Sequence, residues 1–173
     1  MFFNMRLIAL LLTCCVVQGA HATDTIVADE SAVEAAFLYN FALFTEWPDL
    51  PADEFRICVL GSEPMLAALE SVKKKQIKER PVSIRNISFS QAQSCQVLFV
   101  GTSEHASIGK LAQQIGTTPV LVVTEENNFD PKNAIIILAT QQGKITFKIN
   151  RTGAEANSLT VSSKLLKLAK QVY

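Results

Sequence analysis

From Phe55 onward, short apolar runs alternate with amphipathic segments, and this alternation restricts the fold more than any other feature of the sequence. The runs long enough for a strand are FRICVLG, PVSIRNI, QVLFVG and PVLVV. Between them, Ser62 and Pro64 are typical of the cap and first turn of a helix, and the segment from His105 to Ile115 has apolar residues at helical spacing. Strands that alternate with helices at these lengths predict a parallel sheet with right-handed crossovers.

The end of the chain has a different pattern. AIIILAT and KITFKIN flank the short segment QQG and predict an antiparallel hairpin near the edge of the sheet. The last segment, SSKLLKLAKQVY, predicts a helix capped by Ser162, with an apolar stripe formed by Leu165, Leu168, Ala169 and Val172. The sequence therefore predicts an α/β fold: a single-domain three-layer sandwich with a mostly parallel sheet of five or six strands, a C-terminal antiparallel hairpin and flanking helices.

The N-terminal segment has the features of an export signal. Arg6 precedes an apolar run from Leu7 to Val17, and Ala20-His21-Ala22 supplies the small residues that signal peptidase needs. We expect a cleaved signal peptide over residues 1–22, a mobile start over 23–30 and one domain over 31–173. The mature protein is then exported and begins near Thr23, with no direct insertion in the membrane.

The charge balance excludes one class of partner. The chain has 16 basic and 16 acidic side chains, and the loss of Arg6 with the signal leaves 15 basic ones, a formal net charge of −1. Because nucleic acids and anionic membranes attract basic surfaces, we expect neither as a partner.

Two of the four cysteines leave with the signal, so that only Cys58 and Cys95 remain in the mature chain. An exported protein enters an oxidising compartment, where a pair of cysteines commonly forms a disulfide. The sequence therefore predicts a Cys58–Cys95 disulfide, with two buried free thiols as the alternative.

A search for catalytic and metal-binding residues finds little. His105 is the one histidine left after export, and its position at a helix start beside Glu104 predicts a solvent-facing side chain. Glu125, Glu126 and Asp130 follow a strand, as hard-cation ligands can, but such a run is usually a polar loop. We predict no enzyme, no catalytic residue, no metal site and no cofactor, and expect the function to lie in binding.

Six segments together resemble the YfiR-like family of periplasmic regulators. They are AAFLYNFALFTEWP, FRICVLG, CQVLFV, PVLVVTEENNF, FKIN and SLTVSSKLLKLAKQV, in the family's order and spacing from about Ala32 to the end. The resemblance implies an inhibitor that docks onto the periplasmic sensor region of an inner-membrane diguanylate cyclase. It would thereby hold down cyclic di-GMP signalling and biofilm formation, and an outer-membrane lipoprotein could relieve it.

The predicted helix from Val33 to Trp47 is apolar on all sides, so both of its sides must be covered. Either the fold supplies both covers, or a partner supplies one. We name Tyr39, Phe41 and Trp47 as candidate partner-binding residues. Tyr39 and Trp47 carry polar atoms that a dry core would have to satisfy, and Phe41 lies beside Asn40. The partner would be the cyclase sensor domain or a second copy in a homodimer.

A second function stays open at this point. Open α/β sheets commonly bind ligands at the carboxyl ends of their parallel strands, which here lie near Gly61 and Gly101. The alternative to protein docking is therefore a periplasmic sensor or carrier for a small molecule at that edge.

Overall fold

The computed structural model describes residues 22–51, 53–127, 130–141 and 144–173, with side chains in the first helix from residue 30 onward. The helices are α1 (Ala22–Leu43), α2 (Glu63–Leu69), α3 (Ile108–Ile115), α4 (Arg151–Ala156) and α5 (Ser163–Leu168). The strands are β1 (Thr45–Glu46), β2 (Phe55–Leu60), β3 (Gln76–Ile77), β4 (Arg80–Asn86), β5 (Val97–Val100), β6 (Leu121–Glu125), β7 (Ile136–Gln141), β8 (Lys144–Ile149), β9 (Thr160–Val161) and β10 (Gln171–Val172). Short 3₁₀ turns lie at Glu70–Val72, Phe89–Ser94, Thr102–Ser107 and Pro131–Asn133.

One large sheet holds eight of these strands in the order β10-β8-β7-β6-β5-β2-β4-β3. Neighbouring strands are parallel except for the pairs β7–β8 and β3–β4. The predicted α/β fold with a mostly parallel sheet and a C-terminal hairpin is confirmed. The strand number differs from the predicted five or six, because β3 and β10 are two-residue edge strands too short to produce an apolar pattern.

Apolar side chains cover both faces of the sheet, as a three-layer arrangement requires. Alternate residues of β2 point to opposite sides. Ile57 and Val59 belong to the core beneath α1 and α2, whereas Cys58 and Leu60 belong to the core beneath α3. The first core also contains Phe147 of β8, which explains why the hairpin is held against α1.

The fold covers the side of α1 that carries Leu38 and Phe41, whereas Val33 is 44% exposed. Phe41 meets Phe147 edge-on at 5.0 Å between ring centroids, and α1 also packs along α2. The helix ends at Leu43 and not at the predicted Trp47, since Thr45 and Glu46 form β1 and pair with β9. Its described backbone starts at Ala22, so the range predicted as a mobile start forms its first turns.

The C-terminal segment corrects another prediction. The predicted helix extends only over α5, and Ser162 caps it by accepting a hydrogen bond from the Leu165 N–H at 3.3 Å. The chain then extends, and the Lys170 N–H donates to the Phe147 carbonyl at 2.8 Å. The last residues of the chain thus pair with β8 as the parallel strand β10 and cover part of the β8 edge. Leu168, which precedes β10, is left exposed.

The predicted signal peptide lies outside the described residues except for Ala22. None of the helices in the described ranges is long and apolar enough to cross a membrane.

A disulfide joins Cys58 of β2 to Cys95, which lies just before β5. The two Cα atoms are 5.9 Å apart, because β2 and β5 are neighbours in the sheet. Both cysteines are buried in the core beneath α3. The predicted disulfide is therefore present in the structure.

We expect the disulfide to contribute strongly to stability. It closes a loop with a sequence separation of 37 residues, and replacing both cysteines by alanine should lower the free energy of unfolding by about 4 kcal/mol, measured by urea denaturation. The intact mass of the purified wild-type protein without reductant should be about 2 Da below the dithiol mass. Alkylation of two thiols in protein denatured without reductant would contradict the prediction.

Candidate functional site

The three predicted partner-binding residues have different environments. Phe41 is fully buried, and Trp47 is 8% exposed and packs edge-on against Phe55 at 5.1 Å. Neither side chain therefore offers a surface to a partner, and their assignment to a docking surface is not supported by their placement. The sequence predicts that a dry core would have to satisfy the polar atom of Trp47. The Trp47 side chain is nevertheless buried, and its Nε1–H has no hydrogen-bond partner within the described residues.

Tyr39 is the half-buried member of the set. Its hydroxyl donates to the Gln76 carbonyl at 3.1 Å, and the Lys75 Nζ lies 4.6 Å from its ring centroid. The ring therefore lies at the surface, near the β3 edge of the sheet. Its role in binding stays a prediction.

The predicted solvent-facing histidine is instead buried. His105 is 8% exposed, and its Nε2 lies 2.8 Å from the Thr124 Oγ1. Because the Thr124 hydroxyl donates its proton to the Val100 carbonyl, His105 must be the donor in this pair. Burial lowers the pKa of His105 and so favours the neutral ring. These bonds tie the segment before α3 to β5 and β6.

The most distinctive site is a cavity of about 560 Å³ at the carboxyl ends of the parallel strands, beside α1. Gly61, which follows β2, lines it, as does Thr102, which follows Gly101 after β5. A Cβ atom at Gly101 would lie 2.1 Å from the Gly61 carbonyl oxygen. The two strand ends thus touch through glycine backbone, and the cavity opens next to this contact.

Carboxyl groups dominate the lining of this cavity. They come from α1, from the start of α2 and from the end of β6, and they are Glu30, Glu34, Glu63, Glu125 and Glu126. The described lining residues include no lysine, arginine or histidine. The residues of α1 include no basic side chain either. We call this site the acidic cavity.

Three of the five carboxyl groups have protein partners. Glu126 pairs with Lys148, Glu63 accepts a hydrogen bond from the Asn86 amide at 3.3 Å, and Glu30 accepts one from the Thr140 hydroxyl. Lys148 is the one cation among these partners, and Glu34 and Glu125 are the two carboxyl groups of the acidic cavity with neither a hydrogen bond nor an ion pair within the described residues.

Glu34 has the most perturbed acid–base behaviour in this group. Burial, followed by the nearby charges of Glu125 and Glu30, raises the pKa of Glu34 from 4.5 to about 7. The pKa of Glu125 is raised as well, by burial and then by the charge of Glu30. Within the described residues, no group of three or more His, Cys, Asp or Glu side chains could hold a metal ion.

Sequence reasoning found part of this site. The acidic run after PVLVV includes Glu125 and Glu126, but Asp130 from the same run instead caps the turn at Pro131–Asn133. Glu30 and Glu34 were missed. The signal that could have indicated them is a helix that carries acidic but no basic residues over its whole length.

Glu34 should make stability depend on pH. The folded state holds the Glu34 proton up to a pKa of about 7, whereas the unfolded chain releases it near 4.5, so its contribution is present below pH 4.5 and lost as the pH rises to about 7. The loss is at most about 3 kcal/mol, because solvent that reaches the cavity screens part of the effect. Measured by urea denaturation at pH 4.5 and at pH 7, the free energy of unfolding of Glu34→Gln should lack this part of the decline. The matched control is Glu155→Gln on the exposed surface of α4, and equal pH dependence of wild type and Glu34→Gln would contradict the prediction.

The comparison with known families agrees with the six matching segments. The sequence profile described as YfiR/HmsC-like matches residues 31–170, from within α1 to just before β10. The match includes every lining residue of the acidic cavity named here except Glu30. A search of curated proteins finds no match to this chain. Since the family profile covers most of the chain, the protein belongs to the YfiR/HmsC-like family.

Proposed function

We propose that the protein is a periplasmic regulator that docks onto the extracytoplasmic sensor region of an inner-membrane diguanylate cyclase and inhibits it. The match of the family profile over residues 31–170 carries this proposal. The buried Cys58–Cys95 disulfide supports export, because disulfides persist in oxidising compartments. Release by an outer-membrane lipoprotein and formation of a homodimer belong to the same proposal.

Two exposed surfaces are candidates for docking. The first is the ring of Tyr39, beside Lys75. The second is a shallow apolar groove of about 430 Å³, to which Phe37, Ile145, Phe147 and Leu168 contribute. Leu168 is 71% exposed, the largest exposure among the large apolar residues of the described chain. An exposed apolar side chain in such a groove is a common anchor for a protein partner.

The first experiment identifies the partner. Mature protein immobilised through a C-terminal tag should retain a membrane-bound diguanylate cyclase from detergent-solubilised membranes of the source cell, identified by mass spectrometry. Addition of the mature protein to the purified full-length cyclase should then lower cyclic di-GMP synthesis. Failure to retain a cyclase, or synthesis unchanged by saturating mature protein, would overturn the proposed function.

The second experiment separates docking residues from core residues. Leu168→Ala should change the melting temperature little, and Phe41→Ala should cost about 3–5 kcal/mol because it leaves a cavity in the core. Tyr39→Ala should lie between them, because the half-buried ring packs against the core and its hydroxyl bonds to the Gln76 carbonyl, so Tyr39→Phe serves as the milder variant. A docking residue should weaken binding to the cyclase about tenfold or more at unchanged stability. Wild-type affinity for both surface variants would exclude both surfaces.

A further inference from the structure

The acidic cavity contains an uncompensated carboxyl group that the fold buries. Glu34 is 6% exposed and lines the cavity. Its side chain has no hydrogen bond or ion pair within the described part of the chain, and neither has that of Glu125. Two nearby acidic residues, Glu125 and Glu30, repel its negative form.

Such an arrangement is costly for the protein alone. A mostly buried carboxylate without a partner loses part of its hydration, and a second carboxylate nearby increases the cost. Glutamine or leucine would fill the same position on α1 without this cost. A bound cation removes the cost, because it supplies both the opposite charge and the hydrogen-bond donors that the fold does not.

The lining indicates an organic cation more than a metal ion. A metal ion needs several convergent ligands, and no described group of three His, Cys, Asp or Glu side chains provides them. An ammonium group has three donors and accepts a looser arrangement of acceptors. The hydroxyl groups of Ser31, Ser62 and Thr102 offer further hydrogen bonds, and Leu138 and Ala139 offer apolar contact for methylene groups. An anion such as a phosphate would meet only repulsion here.

We propose that the acidic cavity binds a small organic cation of the primary-amine class, with its ammonium group held by Glu34 and Glu125. The volume of about 560 Å³ suits a small molecule. Glu30 and Glu63, whose hydrogen-bond partners are uncharged, add negative charge that attracts a second amino group of a diamine, whereas Glu126 is paired with Lys148. This binding site is independent of the docking proposal, since it makes no use of Tyr39 or of the groove at Leu168.

The probe is putrescine, a linear diamine, titrated into the mature protein by isothermal calorimetry at low ionic strength and pH 8. We expect saturable binding with one site per chain. Glu34→Gln and Glu125→Gln should each weaken it about tenfold or more, because each removes one charge-assisted hydrogen bond. Glu155→Gln, on exposed α4, should bind as wild type does. Circular dichroism and thermal melts of each variant show whether its fold is intact.

Three control titrations distinguish the cavity from general charge attraction. 1,4-Butanediol has the same chain length without charge and should not bind. Sodium chloride at equal ionic strength and calcium chloride should not reproduce the heat or the thermal stabilisation seen with the diamine. The proposal is overturned if putrescine does not bind, if both glutamine variants bind it as wild type does, or if calcium binds more tightly than the diamine at the same carboxylates. Cyclase retention is measured separately, so either proposal can fail without the other.

Discussion

The packing of α1 against the sheet and alongside α2 is the interaction on which the other features depend. Leu38 and Phe41 are fully buried, and Phe41 contacts Phe147 of the C-terminal hairpin. This contact joins the first helix to the last long strand, so that one core includes both ends of the domain. Glu34 lies one helical turn before Leu38 on the same side of α1. The apolar contacts that hold Leu38 in the core therefore also hold Glu34 in a buried position, where no described residue neutralises it.

The acidic cavity follows from this placement and from the parallel arrangement of the strands. Parallel strands bring their carboxyl ends to one edge of the sheet, and here that edge carries Gly61 after β2 and Glu125 at the end of β6. Helix α1 adds Glu34 from the other side. The accumulated negative charge lowers stability where the carboxylates are ionised, and proteins commonly retain such a cost at positions that serve binding.

The opposite face of the sheet is organised differently. There the Cys58–Cys95 disulfide links β2 to the segment before β5, and His105 connects the approach to α3 with Thr124 of β6. The disulfide and the hydrogen bond between His105 and Thr124 thus join neighbouring parts of this face. The uncompensated polar groups at the carboxyl edge and the exposed Leu168 lie elsewhere, which separates the stabilising face of the domain from the surfaces proposed for binding.

The sequence by itself determined the elements whose patterns are long and local. The features that could be predicted are the six long strands, the Ser62 and Ser162 caps, the hairpin and the disulfide pair. Strands, caps and hairpins depend on neighbouring residues and therefore leave local patterns. The disulfide could be predicted because only two cysteines remain after export, which leaves one possible pair. Only the tertiary structure decided that α1 ends at Leu43 and that the chain after Leu168 forms an edge strand. It also decided that His105 and Phe41 are buried, and that Glu34 lies in the same cavity as Glu125. These outcomes depend on pairing between distant segments such as β1 with β9 and β10 with β8, whose hydrogen bonds outweigh local helical propensity and leave no periodic signal in the sequence.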